Sequence, residues 1–322
     1  MARWLFILLL GFGLSGCYYV DQGRGQWRLR FDQVPIAEAI ANERDPKIRA
    51  LLSQVEDIKT FGQQAMGLSP TKNYQGYYRT NQKGITFVVT ASPKLQLKAY
   101  TWWFPVVGSV PYKGFFDPKD AQALQKKLEA EGFDVYLFAA PAYSSLGWFV
   151  DPITTPMLQT GIWGLADTII HEMAHATLYV NGQGNFNEQL ASFVGRQGAE
   201  LYLRQKAGWS EDQIRQYHQR RTKYRQAQTL IQQSLAGFRE LYSRLDLKDD
   251  EKQQEKERLF GQLSAELKQL TGRDWELNNA RLLQFQRYKA DNVLFARTLE
   301  KAQGDWAVFW DLIQQHTAAQ GW

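Results

Sequence analysis

Two of the chain's four histidines stand four residues apart with a glutamate between them, in the run Ile169-Ile170-His171-Glu172-Met173-Ala174-His175-Ala176-Thr177-Leu178-Tyr179-Val180. On a helix, residues four apart share a face, so His171 and His175 point the same way and can grip one metal ion. Glu172 lies about 100° around the helix from His171, within reach of a water on that ion. Two neutral imidazoles as zinc ligands and a carboxylate as general base are the parts needed to activate water for hydrolysis. Ile169, Ile170, Met173, Ala174, Ala176, Leu178 and Val180 make the helix apolar over most of its circumference, the pattern of a buried helix. Polar side chains there need partners, since an unpaired buried polar group costs about 1–3 kcal/mol and a charge more. A metal ion and its water supply them; a closed hydrogen-bonded cluster is the competing reading.

A catalytic zinc site takes three protein ligands and keeps a fourth position for water. The third ligand read from the chain is Glu188. Helix signals end near Asn181-Gly182-Gln183-Gly184, where Gly and Asn suit a cap and turn. A second helix starts around Phe186-Asn187-Glu188 and runs through Leu190, Phe193 and Val194, so the turn brings Glu188 back over the histidines. Glu200 is the competing ligand, and Glu188 also reads as an acidic residue favoured in a helix's first turn by the dipole.

His171-Glu172-x-x-His175 followed by Asn187-Glu188 resembles the gluzincin class of zinc peptidases, whose third ligand is a glutamate from a downstream helix, often preceded by Asn. The fuller run resembles a family of bacterial aminopeptidases carrying lipoprotein signals. It comprises Ala142-Tyr143-Ser144-Ser145-Leu146-Gly147-Trp148-Phe149, Asp151-Pro152, the histidine motif and Phe186-Asn187-Glu188. The likeness extends over nearly all of the chain beyond its leader.

That resemblance implies one Zn²⁺ per chain on His171, His175 and Glu188, with Glu172 as the catalytic base and a peptide as substrate. In gluzincins an edge strand ahead of the zinc helix pairs with extended substrate, which would put Tyr143, Ser144 and Trp148 at the cleft. They read equally as a turn with a buried tryptophan. Gluzincins also take a Tyr or His from the helical C-terminal part as donor to the tetrahedral oxyanion. Tyr288, after Asn278-Asn279-Ala280-Arg281-Leu282, is the candidate, and it reads equally as a core tyrosine.

Two departures stand out. The interval from His175 to Glu188 is shorter than in the best-known gluzincins, and Ser192 stands where an Asp often follows the ligand Glu, leaving the outer partner of a histidine unassigned. The exopeptidase reading rests on the family, because the chain has no G-x-M-x-N stretch like that of well-known gluzincin aminopeptidases. A zinc endopeptidase of the cell envelope is the first alternative. A lipid-anchored binding or assembly protein with a structural zinc is the second, although a structural site is closed by four protein ligands and three are visible.

The elements that must position these residues begin with a targeting segment. Arg3 precedes the apolar run Trp4 to Leu14, too short to span a membrane stably. Leu14-Ser15-Gly16-Cys17 resembles a bacterial lipobox, which implies removal of residues 1–16, lipidation of Cys17 and a firm anchor through several acyl chains. Tyr18 rather than Asp after the cysteine points to the outer membrane, facing the periplasm. Cys17 is the only cysteine, so no disulfide forms within the chain. Losing Arg3 takes the net charge from +5 to +4. Nothing resembles a phosphate loop or a nucleic-acid motif, and no nucleic-acid partner is expected.

The expected fold is α+β, a gluzincin-like arrangement with a small mixed or antiparallel sheet packed on the motif helix and a largely helical C-terminal part. Residues 17–32 read as a tether with Gly23 and Gly25. Residues 33–203 form the sheet-plus-helix part holding the ligands, and 204–322 the helical part completing the cleft. Helices are expected over Pro35–Ala41, Asp45–Met66 and Pro118–Ala130, the last capped by Asp117. Gly84–Thr90 and Leu95–Trp103 read as a hairpin about Ala91-Ser92-Pro93-Lys94, and Phe133–Ala139 as a strand. Arg204 to Gln269 reads as an antiparallel helix pair broken at Asp246–Asp250, with a last helix running from Asn278 to about Glu300.

Overall fold

The structure, a computed structural model, describes residues 18–105, 108–141, 150–287 and 293–321, leaving aside the side chains of 286 and 287. Residues 18–31 form helix α1, followed by strand β1 (Val34–Pro35) and helices α2 (Ile36–Asn42), α3 (Pro46–Ser53) and α4 (Val55–Met66). Strands β2 (Gly76–Tyr78), β3 (Thr86–Pro93), β4 (Trp102–Phe104), β5 (Gly108–Val110) and β6 (Lys113–Phe115) come next, then α5 (Pro118–Ala130) and β7 (Phe133–Ala140). After β8 (Ile153–Thr154) the described elements are helices: α6 (Thr155–Leu158), α7 (Gly161–Thr177), α8 (Gly184–Gln205), α9 (Glu211–Ser243) and α10 (Asp249–Thr271). Helices α11 (Asn279–Arg287), α12 (Val293–Lys301) and α13 (Trp306–Ala319) complete them. The class is α+β, with helix predominating.

The chain crosses back and forth between two compact units, so neither is a continuous stretch. The first takes the described residues within Met1–Gln22, Thr86–Ala140 and Arg215–Lys289, and the second those within Gly23–Ile85, Pro141–Ile214 and Ala290–Trp322. In the first, β3 is the central strand of the order β6-β3-β7, antiparallel to both neighbours. Its alternating Phe87, Val89 and Ala91 share one face, as a period of two requires, and bury with Phe115, Val135 and Ala121 and Leu128 of α5. Helix α5 starts where the sequence signals it, the Asp117 carboxylate accepting the Lys119 N–H at 2.8 Å with Pro118 in the first turn. Helices α9, α10 and α11 build a second core from Ala227, Ile231, Leu235, Phe238, Phe260, Leu263, Leu267 and Leu282.

The expected hairpin is not formed. β3 runs on through Pro93 and its partners are β6 and β7, while Trp102–Phe104 pairs with Gly108–Val110. The reason lies at the turn. The Ser92 hydroxyl donates to the Gln96 carbonyl, and the Asn279 amide donates to the carbonyls of Pro93, Lys94 and Gln96. Asn279 thereby fixes the chain after Pro93 as a turn, and β6 holds the other edge of β3 at Phe87–Val89, leaving a single backbone bond from the Tyr100 N–H to the Ala91 carbonyl at 2.8 Å. Residues 18–31 also differ from the expected tether in being helical, Gly25 lying on the buried side with Leu29.

In the second unit, α7 is almost wholly apolar and finds its neighbours in α8, α4, α6 and α3. Ile169, Ile170, Met173 and Ala174 are fully buried there, against Leu190, Ala191, Phe193 and Val194 of α8. The sheet expected on the motif helix, β6-β3-β7, is built in the other unit. What this unit has is the small sheet β1-β2-β8, with Tyr77 paired antiparallel to Val34 and parallel to Ile153. Helix α13 closes the far end, the Trp310 indole N–H donating to the Met66 carbonyl at 2.9 Å where α4 ends in left-handed Gly67.

Candidate metal centre

The histidine helix stops at Thr177 because Leu178 turns extended, at φ −144°. Thr177 ties off that end, its hydroxyl donating to the Met173 carbonyl at 2.7 Å and accepting the Ser69 N–H at 2.8 Å. The chain then reverses through Gly182, whose φ of +77° is left-handed backbone that glycine adopts without a Cβ penalty. Asn187, buried to 2 % exposure, fastens the returning chain. Its side-chain oxygen accepts the Val180 N–H at 2.9 Å and its amide donates to the Val180 carbonyl at 2.8 Å. Glu188 is the next residue, so the same clamp that satisfies the loop's backbone aims this carboxylate.

Helix α8 then lies unusually close along α7. A Cβ at Gly195 would stand 2.6 Å from the Asp167 Oδ1, 2.8 Å from the Asp167 carbonyl oxygen and 3.1 Å from the His171 Cβ. One at Gly198 would stand 2.8 Å from Ile170 Cγ2. Two hydrogen atoms in place of methyl groups thus set the separation at which Glu188 can meet the histidines.

Three donor atoms converge. The Nε2 atoms of His171 and His175 are 3.1 Å apart, and the two Glu188 carboxylate oxygens lie 3.6 Å from the first and 3.4 Å from the second. Ligands about 2.0–2.2 Å from one tetrahedral ion stand roughly 3.3–3.5 Å from each other, the scale of the separations here, with each histidine nearest a different Glu188 oxygen. The imidazoles are edge to face at 84°. The histidine side chains are 21 % and 17 % exposed and that of Glu188 68 %, so the cluster is walled on the α7 side and open on the glutamate side.

Burial pushes the His171 pKa down, yet the carboxylates of Glu188, Glu172 and Asp167 outweigh it and the net shift is upward. Hydrogen bonds from His171 and His175 hold the Glu188 carboxyl well below the usual carboxylate range. Glu172 is half-buried beside His171, and its charge also reaches the buried phenol of Tyr74. Burial, with Glu172 and Asp151, raises that phenol well above its ordinary pKa, which keeps it neutral. Tyr74 sits at φ +65°, a costly region for a non-glycine residue, with its N–H donating to the Asp151 carbonyl at 2.7 Å. The His175 Nδ1 is buried with no hydrogen-bond partner among the described residues.

Of the residues singled out in the sequence, His171, Glu172, His175 and Glu188 come together. Glu200 lies further along α8, paired with Arg204 at 3.0 Å, and is not in the group of potential ligands. Cys17, Tyr143, Ser144, Trp148 and Tyr288 lie outside the described residues. Three contributors went unread: the glycines, Asp167 and Tyr74. The glycines had a signal, since Ala191, Gly195, Gly198 and Ala199 form a small-residue stripe at helical spacing. Asp167 had one as well, standing four residues before His171 on the same face. Tyr74 had none, because a left-handed tyrosine follows from its surroundings.

A family model described as "Putative aminopeptidase" matches residues 17–320 of the chain. No curated protein and no solved structure matches it.

Proposed function

We propose that this chain, which belongs to the putative aminopeptidase family, is a zinc-dependent peptidase whose metal is held by His171, His175 and Glu188. One observation carries the reading: the Nε2 atoms of His171 and His175 and the Glu188 carboxylate, brought from two helices, converge to within 3.1–3.6 Å of one another, a donor set of two imidazoles and one carboxylate suited to zinc. Zinc bound there would supply Lewis-acid polarisation of the scissile carbonyl and a water acidified to a pKa near about 7.

The chain's own residues do the rest. Glu172 accepts a proton from the attacking water and passes it to the leaving amine nitrogen. Asn187 keeps the Glu188 carboxylate on the histidines, and Gly195 keeps α8 close enough for it to reach them. By resemblance, Tyr288 donates to the oxyanion and Tyr143, Ser144 and Trp148 border the substrate. The family's description favours stepwise removal of N-terminal residues from peptides as the reaction. The proposed setting is the cell envelope, with Cys17 acylated after loss of residues 1–16 and the protein facing the periplasm. No helix among the described residues is long and apolar enough to cross a membrane.

The test is to load the chain that follows Cys17 with zinc, incubate it with a diverse peptide mixture and read the products by mass spectrometry. Stepwise N-terminal trimming supports the aminopeptidase reading, and internal cuts would make the protein an endopeptidase. Glu172→Gln is expected to keep its zinc and lose about 10²–10⁴-fold in rate. A Glu172→Gln enzyme as active as the parent would remove the assignment.

A further inference from the structure

From Gly23 onward helix α1 buries Gly25 and Leu29 and exposes its two aromatic residues. Leu29 is 5 % exposed and Gly25 is buried, whereas Trp27 and Phe31 are 58 % and 61 % exposed. At about 100° per residue, Gly25, Gln26 and Leu29 fall on one side of the helix and Trp27 and Phe31 on the opposite side. Arg24 and Arg28 then lie on one flank of that ridge and Arg30 on the other. The two rings are 5.1 Å apart, the Arg30 guanidinium is 6.0 Å from the Phe31 ring, and Val34 continues the exposed apolar line beyond the helix. Single exposed apolar residues are ordinary on a surface; a contiguous aromatic ridge marks a binding face.

We propose that this face of α1 lies in the interface of an anionic phospholipid bilayer. Trp27 and Phe31 would sit at the boundary between headgroups and acyl chains, with Arg24, Arg28 and Arg30 on lipid phosphates. The chemistry fits that occupant on two counts. Tryptophan and phenylalanine on one face of a helix with arginines beside them are the composition of helices that lie in the membrane plane. The charge is also complementary, since residues 23–34 carry three arginines against the single acid Asp32, and guanidinium binds phosphate oxygens in pairs. The helix is already formed at residue 18, so an acyl chain on Cys17 would deliver this face to the bilayer without a spacer, but the face does not depend on that chain. Nor does it depend on the peptidase reading, and the test measures no peptidase activity.

The protein to use is the chain from position 17 with Cys17→Ser, which keeps every described residue and carries no lipid. It is sedimented with vesicles of phosphatidylcholine alone and of phosphatidylcholine with phosphatidylglycerol. Binding is expected to the anionic vesicles and at least about tenfold weaker to the neutral ones, with salt reducing it by screening. The double variant Trp27→Ala/Phe31→Ala should lose about tenfold or more in bound fraction, and Arg24→Gln/Arg28→Gln should lose binding to the anionic vesicles selectively. All four side chains are exposed, so unchanged thermal melts and zinc content will show that these variants fold. The proposal is overturned if the unlipidated protein stays in the supernatant with anionic vesicles, or if Trp27→Ala/Phe31→Ala binds as the parent does. It is also overturned if the parent is a dimer that this double variant dissociates, which would make the ridge an interface between copies.

Discussion

Two polar clusters, one in each unit, are built on opposite principles. In the first unit, the Lys256 ammonium donates to Asp134 Oδ2 at 2.6 Å with side-chain exposures of 4 % and 11 %. That oxygen also accepts the Asn279 N–H at 3.0 Å, and the fully buried Asn279 side chain accepts from Tyr242 at 2.7 Å while donating to three carbonyls. Charge there meets counter-charge, and the Asn279 amide and the Tyr242 hydroxyl both have partners. In the second unit the imidazoles of His171 and His175 and the Glu188 carboxylate converge on one point, and the buried His175 Nδ1 has no hydrogen-bond partner among the described residues. A cluster that closes on itself is a structural fastening; one whose ligand atoms converge on a single point is suited to a cation.

The largest effect should separate these two principles. Asp134→Ala leaves the Lys256 charge buried without a counter-ion, a loss on the order of 3–5 kcal/mol. It should appear in urea unfolding whether zinc or EDTA is present. His171→Ala removes a contact to a carboxylate that is 68 % exposed and screened by solvent, so in EDTA it should change stability by less than about 1 kcal/mol. With zinc at a hundred times its dissociation constant the parent should gain about 2.7 kcal/mol, and His171→Ala should gain almost none. If zinc left the parent's unfolding midpoint unmoved, the contrast between the clusters would collapse.

The contrast also explains what the sequence could reveal. The cluster of His171, His175 and Glu188 is local: two of its residues lie on one helix and the third follows after one tight reversal, so periodicity and turn chemistry were enough to read the three together. Helix α5 was legible for the same reason, since Asp117 and Pro118 act on their own neighbours. The Asp134 cluster joins residues more than a hundred positions apart, and nothing in the run Asn278-Asn279 discloses that its partners are Pro93, Lys94 and Gln96. That hidden contact is what made the hairpin at Ala91–Lys94 look plausible. Division into two interleaved units was illegible on the same grounds, because a chain that leaves one core and returns to it writes no boundary into its composition.

A smaller effect tests how the metal cluster is held. At Gly195 a methyl group would press on the Asp167 carbonyl oxygen at 2.8 Å, and backbone cannot swing aside as a side-chain tip can. Gly195→Ala should therefore cost about 1–3 kcal/mol by overpacking and weaken zinc binding in a titration, since α8 must move off α7 and take Glu188 with it. Gly237 is the matched control. A Cβ there meets nothing within 4 Å on an exposed helix face, so Gly237→Ala should stabilise by up to about 1 kcal/mol and leave zinc affinity alone. Equal zinc affinity in Gly195→Ala would mean that helix separation does not set the third ligand.

The smallest effect is a pH dependence that should run in opposite senses with and without metal. In the metal-free protein the raised His171 pKa stabilises the fold fully below its unfolded value of about 6.5, and that contribution is lost as pH rises through the folded value. The depressed Glu188 pKa works the other way. Its contribution is present above about 4.3 and lost as pH falls through the folded value, but Glu188 is 68 % exposed and solvent screens it. Metal-free stability should thus peak between about pH 4.5 and 6.5 and fall from pH 6 to pH 8. Zinc requires the imidazoles neutral, so the stabilisation it adds should grow over that same interval. Unfolding midpoints at pH 6 and pH 8, in EDTA and in zinc, would show the two curves separating as pH rises, and His171→Gln should flatten the metal-free fall. A metal-free protein that instead gained stability toward pH 8 would mean that the His171–Glu188 contact is not formed without the ion, and the cluster would then be assembled by the metal instead of waiting for it.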